Sequence, residues 1–263
     1  MILVTGASGK TGHAVIDALT ARGQQVRALT RSMASMADEK AFARAAEGAD
    51  AIYHICPNVS PDEIIFGRNA IAAARAVGIK RFVYHSVLHP QIEAMLHHWN
   101  KMRVEELLFA SDLDSTILQP TAYMQNLLAN WPAILQGVHR TPYPVTSRIS
   151  LVDLTDVAEA AAKVLTEDGH TGATYELVGT PPLSQTEVAE TLSQALGRPV
   201  RAEAETIEAW RARSPLGAEQ RDTLIKMFRY YERHGLVGSA NTLRWLLGRE
   251  PRSLLDFATS VQG

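Results

Sequence analysis

The apolar positions of this chain fall into short blocks separated by stretches of helical periodicity. Ile2-Leu3-Val4 is an apolar run long enough for a strand buried on both faces. Val15, Ala18 and Leu19 then recur at helical spacing, with Gly23 as the stop signal. The same alternation predicts strands over residues 26–30, 51–55, 81–85, 115–120 and 174–178. Between them, residues 33–50, 91–110 and 156–165 read as helical. Ser60-Pro61-Asp62-Glu63 reads as a capping box with proline at the first helical position, opening a helix that runs to Val77 and stops at Gly78. Strand and helix in regular alternation predict an α/β fold, a doubly wound parallel sheet of Rossmann type. The interval between the second and third strands is too short for the extra strand of a usual half, so the sheet is expected to be one strand short there.

From Pro181 the texture changes. Ser184-Gln185-Thr186-Glu187 is a second capping box, and helical patterns dominate to the end of the chain. This predicts a binding domain over residues 1–180 and a small helical C-terminal subdomain over 181–263 that covers the ligand cleft. Trp210, Met227, Phe228, Tyr230, Tyr231 and Trp245 lie in it, and core packing between helices accounts for most of them.

Within this frame the first turn carries chemistry. Gly6-x-x-Gly9-x-x-Gly12 sits between the first strand and the first helix. Gly6 allows a tight turn, Gly9 lets backbone approach a pyrophosphate, and Gly12 lets the helix lie close to the strand. The helix N-terminus then offers free N–H groups to a phosphate. Gly9-Lys10-Thr11 imitates the end of a P-loop, but that motif needs glycine where Val4 stands, so a triphosphatase is excluded. A dinucleotide site is the reading that fits.

The end of the second strand refines the ligand. A carboxylate there would bind the ribose 2′-hydroxyl of NAD, whereas this chain has Thr30-Arg31-Ser32. Arg31 can pair with a 2′-phosphate, which predicts NADP(H) as the preferred cofactor and NAD(H) as the alternative. Cys56-Pro57-Asn58 ends the third strand, where loops contact a bound dinucleotide, and Cys56 reads as a small buried filler rather than a nucleophile. His97 and Lys101 stand four apart on a predicted helix, hence on one face. A lysine there can hydrogen-bond the nicotinamide ribose and bring positive charge beside a proton donor; a solvated helix face explains the spacing equally well.

Composition narrows the class. Of 263 residues, 46% are hydrophobic and 21% charged, as in an ordinary globular protein. The net charge is −2 with no basic block, which argues against nucleic acid as partner. No apolar run reaches the length of a membrane span, and an opening strand is unlike a signal peptide. With the single cysteine, this predicts a cytoplasmic chain. His85, His89, His97 and His98 crowd a short stretch, but their spacing enforces no convergence, so no metal is expected.

Val4-Thr5-Gly6-Ala7-Ser8-Gly9-Lys10-Thr11-Gly12 resembles the opening of the NmrA-like branch of the atypical short-chain dehydrogenases/reductases. The likeness continues through residues 48–53, 81–86 and 116–120, Lys101 with Glu105, residues 156–161 and Tyr175-Glu176-Leu177. Gly248-Arg249-Glu250-Pro251 and Asp256-Phe257 complete it. The resemblance implies an NAD(P)H-binding fold whose members reduce quinones, dyes or phenolic compounds, tailor aromatic natural products, or only sense the cofactor. It implies cofactor contacts at Thr5, Gly6, Ser8, Gly9, Lys10, Thr11 and Gly12, at Ile55, Cys56 and Pro57, and at Ser86, Lys101 and Pro120. Ser86 and Lys101 are then the first catalytic candidates. The tyrosine of the wider superfamily's Tyr-x-x-x-Lys pair is replaced by His97, which as an imidazolium would serve as the acid.

The resulting expectation is an NAD(P)H-dependent oxidoreductase that transfers hydride to a small aromatic or quinone-like substrate, as a monomer or homodimer. Tyr123, Gln125, Trp131 and Trp210 are the candidate substrate contacts. The rivals are an NAD(P)-sensing regulator without turnover and an oxidative tailoring enzyme of an aromatic polyketide.

Overall fold

The computed structural model describes residues 1–30 and 36–261. The chain alternates strand and helix as β1 (Ile2–Val4), α1 (Lys10–Ala21), β2 (Val26–Ala28), α2 (Glu39–Ala46), β3 (Ala51–His54), α3 (Glu63–Ala76), β4 (Arg81–His85), α4 (Leu96–Phe109) and β5 (Asp114–Pro120). After β6 (Ala122–Tyr123) and a 3₁₀ turn over Met124–Asn130 come α5 (Trp131–Ile134), β7 (Val138–Thr141), β8 (Arg148–Ile149), β9 (Leu151–Val152), α6 (Leu154–Thr166) and β10 (Thr174–Leu177). The chain closes with β11 (Leu183–Ser184), α7 (Gln185–Leu196), β12 (Arg201–Ala204), α8 (Ile207–Arg213), α9 (Ala218–His234), α10 (Asn241–Leu247) and α11 (Leu254–Ser260).

Six strands form the main sheet in the order β10-β5-β4-β3-β1-β2. The pairings β1 with β2, β1 with β3, β3 with β4 and β4 with β5 are parallel, with Val4 beside Ala28 and Tyr53, and Tyr53 beside Val83. Among the described residues this is the usual doubly wound order lacking the strand beyond β2. Among the described residues only the eight-residue α2 stands between β2 and β3. The first three strands are buried along their lengths except β2, the edge strand, which is half-buried. Leu3, Ile52, Phe82, Tyr84 and Ile117 from the strands pack with Phe42, Ala70, Val104 and Leu108 from the helices into one apolar core.

The chain folds into two compact units. The first comprises residues 1–93, 97–120 and 157–175, and the second 94–96, 121–156 and 176–263. The second thus begins on the sequence side of residue 180 and reaches back to residues 121–156. It is not all helical, because β12 pairs in parallel with β7. Its C-terminal segment is anchored on buried Asp156, which accepts from the Arg249 guanidinium at 2.7 Å and from the Arg252 N–H at 2.6 Å. No described helix is long and apolar enough to cross a membrane.

Local signals mostly hold. Ser184 and Glu187 form the reciprocal capping box, with N–H to side-chain oxygen distances of 3.2 and 2.7 Å. The capping box at Ser60–Glu63 does not form. The N-cap of α3 is Asp62, without a side-chain cap, and Pro61 stands before the helix rather than in its first turn. Glu63 turns inward and is fully buried.

Candidate active site

The glycine loop has the geometry its spacing predicts. Gly6 adopts φ +59°, and a Cβ there would lie 2.9 Å from the Ile55 carbonyl oxygen. A Cβ on Gly12 would lie 2.4 Å from the Gly6 oxygen and 2.8 Å from the Ala7 Cα, so α1 rests directly on the loop. Gly9 is different. It is the exposed N-cap of α1 in an extended conformation, and a Cβ there meets only the Gly6 oxygen, at 3.3 Å. Among the described residues no side chain caps α1 and no acidic residue occupies its first turn, so its first N–H groups have no side-chain cap. Such an uncapped helix start is an arrangement that can hold the pyrophosphate of a dinucleotide. Ser8, Gly9 and Lys10 are exposed, while Thr11, in the first turn of α1, is buried.

Thr5 ties the loop to the next strand. Its hydroxyl donates to the Ile55 carbonyl at 2.9 Å, accepts from the Ile55 N–H at 2.8 Å and meets the His54 Nδ1 at 3.1 Å. On the other side, the Ala7 N–H donates to the Leu29 carbonyl at the end of β2. Arg31, the residue expected to read a 2′-phosphate, lies outside the described residues. Ile55, Cys56 and Pro57 follow β3, and Ser86 follows β4 with its N–H on the Leu118 carbonyl. Pro120 closes β5 and accepts from the Leu88 N–H. Thr5, Ile55, Cys56, Ser86 and Pro120 are therefore brought to one carboxyl edge of the sheet, where ligands of such folds bind.

Beneath that edge lies a buried polar cluster. Lys101 from α4, only 4% exposed, donates to the Glu63 Oε1 at 2.9 Å and to the His85 carbonyl at 3.0 Å. The same Glu63 oxygen accepts from the Tyr84 hydroxyl at 2.8 Å, and the Lys101 ammonium stands 5.3 Å from the centre of the Tyr84 ring. Burial and Glu63 raise the Tyr84 phenol well above its ordinary range, so it stays protonated. A second group forms beside it. The Ser86 hydroxyl donates to Glu105, and the Gln119 amide donates to both Glu105 oxygens at 2.9 and 3.1 Å. Burial raises the Glu105 carboxyl, opposed by its bonds to Ser86 and Gln119.

Four buried histidines beside this cluster are held neutral. Burial first, and the Lys101 charge second, push His54 and His85 down to about 3 and His97 well below its ordinary value. His98 falls to about 4, again mainly through burial. The expected imidazolium at His97 is thereby corrected: the positive neighbour and the dry site oppose it, and the ring offers at most a neutral N–H. His97 Nδ1 is buried without a hydrogen-bond partner. Cys56 is buried, and desolvation together with Glu63 raises its thiol, so it is not a nucleophile. Among the described residues no group of three or more His, Cys, Asp or Glu is placed to hold a metal ion.

The substrate candidates lie in the second unit. Gln125 uses both ends of its amide locally, donating to Asp153 at 3.3 Å and accepting from the Leu154 N–H at 3.1 Å. Trp210 is buried edge-on against Phe228, with ring centroids 4.8 Å apart, as a core aromatic. Tyr123 and Trp131 are half-buried. Sequence reasoning missed Glu63, read as a cap, together with Tyr84, which the linear pattern places only in a strand. A glycine inside α3, Gly67, one turn beyond Glu63, was the available signal.

With this geometry in hand, comparison with known proteins places the chain. The model of the NmrA-like family matches residues 33–260. The chain belongs to the NmrA-like family. An NAD(P)H azoreductase of Xenophilus azovorans is 30% identical, covering 98% of this chain and 96% of that one. Quinone oxidoreductase 2 of Escherichia coli is 30% identical over 76% of each. A crystal structure of the NADPH-dependent quinone oxidoreductase QOR2 from Escherichia coli, complexed with NADPH, superimposes with a TM-score of 0.86, 27% identity and full coverage of both chains.

Proposed function

We propose that this chain is an NAD(P)H-dependent oxidoreductase that reduces a flat, conjugated acceptor of quinone or related aromatic type, with NADPH preferred. The observation that carries the reading is the glycine cradle: Gly12 admits no side chain, Gly9 is open to solvent, and α1 presents an uncapped N-terminus. The azoreductase and quinone oxidoreductase relatives support the acceptor class.

The nicotinamide, when bound, supplies the hydride. The chain's own residues bind, orient and exclude water. The first N–H groups of α1 hold the pyrophosphate, and Arg31 selects the 2′-phosphate. Lysine has three ammonium protons; Lys101 gives two to Glu63 and the His85 carbonyl, which leaves one for the ribose. The Ser86 proton is given to Glu105, and His97 is neutral. Proton delivery from these groups is therefore weak, which suits an acceptor whose reduced form takes its protons from water. A simple ketone, whose alkoxide must be protonated as it forms, fits less well.

Titration of NADPH and NADH, followed by NADPH oxidation against a panel of quinones and aliphatic ketones, tests the reading. Quinone reduction well above ketone reduction is expected. Tight cofactor binding with no oxidation by any acceptor would overturn it in favour of a cofactor-sensing regulator.

A further inference from the structure

The mechanism above uses Lys101 and leaves unexplained why a carboxylate lies fully buried behind it. Glu63 is 0% exposed, and its Oε1 accepts from both Lys101 and the Tyr84 hydroxyl. It reaches them from α3, because α3 and α4 approach closely. A Cβ at Gly67 would lie 2.6 Å from the Val104 Cγ1. Gly67 follows Glu63 by four residues and Val104 follows Lys101 by three, so contact and ion pair share one helix face on each side.

We propose that Glu63 is the positioning residue for Lys101: it holds the ammonium at the carboxyl end of β4. The inference rests on the reading of Lys101 as a cofactor contact. The surroundings offer no direct substitute. From β3 and β4 the lysine faces His54, Cys56, Tyr84 and His85, all held uncharged. From its own helix it faces His97 and His98, also neutral, and Glu105, which bonds Ser86 and Gln119 instead. Without Glu63 the buried ammonium loses its bonded counter-charge, which disfavours the charged form in the variant.

The test is a titration of NADPH by fluorescence into the full-length protein from about pH 6 to about pH 9. It compares wild type with Glu63→Gln, Glu63→Asp, Lys101→Met and the double variant Glu63→Gln/Lys101→Met. We expect Glu63→Gln to weaken binding about tenfold at the alkaline end and to recover towards acid pH, as the lysine regains its proton. Lys101→Met should weaken binding similarly at all pH values, and the double variant should match it. Glu63→Asp keeps the charge, so it should bind more tightly than Glu63→Gln and keep the wild-type pH profile. A Glu63→Gln profile parallel to wild type, or losses that add in the double variant, overturns the proposal. If Glu63→Gln does not fold, Glu63→Asp decides: a profile displaced from wild type contradicts the role. A lowered melting temperature with unchanged binding indicates a merely structural carboxylate. These titrations need no turnover, so a failure to reduce quinones would count against the proposed function and leave this inference to be judged separately.

Discussion

The Val104 side chain fills the space that a Cβ at Gly67 would occupy, at 2.6 and 2.7 Å from its two methyl carbons. Valine in a helix has one strongly preferred rotamer, and Val104 is fully buried, so it cannot step aside. In an ordinary helix interior, glycine to alanine stabilises by about 1 kcal/mol. Here the sign should reverse. Gly67→Ala is expected to destabilise by about 1–3 kcal/mol through overpacking, and Val104→Ala in the same chain should recover part of the loss. Urea midpoints of the single and double variants measure this; a Gly67→Ala protein more stable than wild type would refute the close approach.

The three glycines of the loop should separate by mutation. Gly9 has φ −85° and ψ 161°, a conformation any residue adopts, so Gly9→Val should fold with a melting temperature near wild type and lose NADPH binding. Gly12→Ala drives a Cβ into backbone and should lose stability and binding together. Thermal melts beside cofactor titrations decide it, and normal NADPH binding by Gly9→Val would remove the cradle from the account.

Cofactor choice should lie with Arg31. A charge-assisted pair to a 2′-phosphate contributes about 1.5–3 kcal/mol, or roughly one to two decades in affinity. Arg31→Ala should therefore weaken NADPH by that order and leave NADH unchanged. Equal affinity of the wild type for the two cofactors would contradict the assignment.

The buried histidines set an acid limit on stability. His54 and His85 are pushed from 6.5 to about 3 in the folded state, so the unfolded chain binds more protons between those values. Stability is then fully present above about pH 6.5 and falls as pH drops toward 3, by up to about 1.4 kcal/mol per pH unit for each histidine. Urea denaturation at about pH 7.5 and about pH 5 measures it; equal midpoints would mean these rings are hydrated or charged in the fold.

Much of the fold is legible because its signals are local. A run such as Ile2-Leu3-Val4 between a glycine turn and a helix has few alternatives, and Ser184 with Glu187 caps α7 as its spacing says. The same local rule failed at Ser60–Glu63, where capping is worth only about 1 kcal/mol and Glu63 instead bonds the buried Lys101 and Tyr84. The shared face of His97 and Lys101 follows from helical periodicity, but the charge state of His97 depends on what surrounds it, which no linear spacing shows. Gln125 and Trp210 were attractive as substrate contacts by residue type; the structure gives them backbone and core partners that only the fold brings near.

The most direct test of the account follows the nicotinamide absorbance in a single turnover with a soluble quinone. NADPH and NADPH deuterated at the transferred C4 position are compared in wild type and in Gly9→Val. The account predicts that wild type oxidises NADPH, that the deuterated cofactor reacts more slowly, and that Gly9→Val shows neither reaction. Oxidation at the same rate with both cofactors, or undiminished in Gly9→Val, would contradict hydride transfer from a dinucleotide held at this glycine loop.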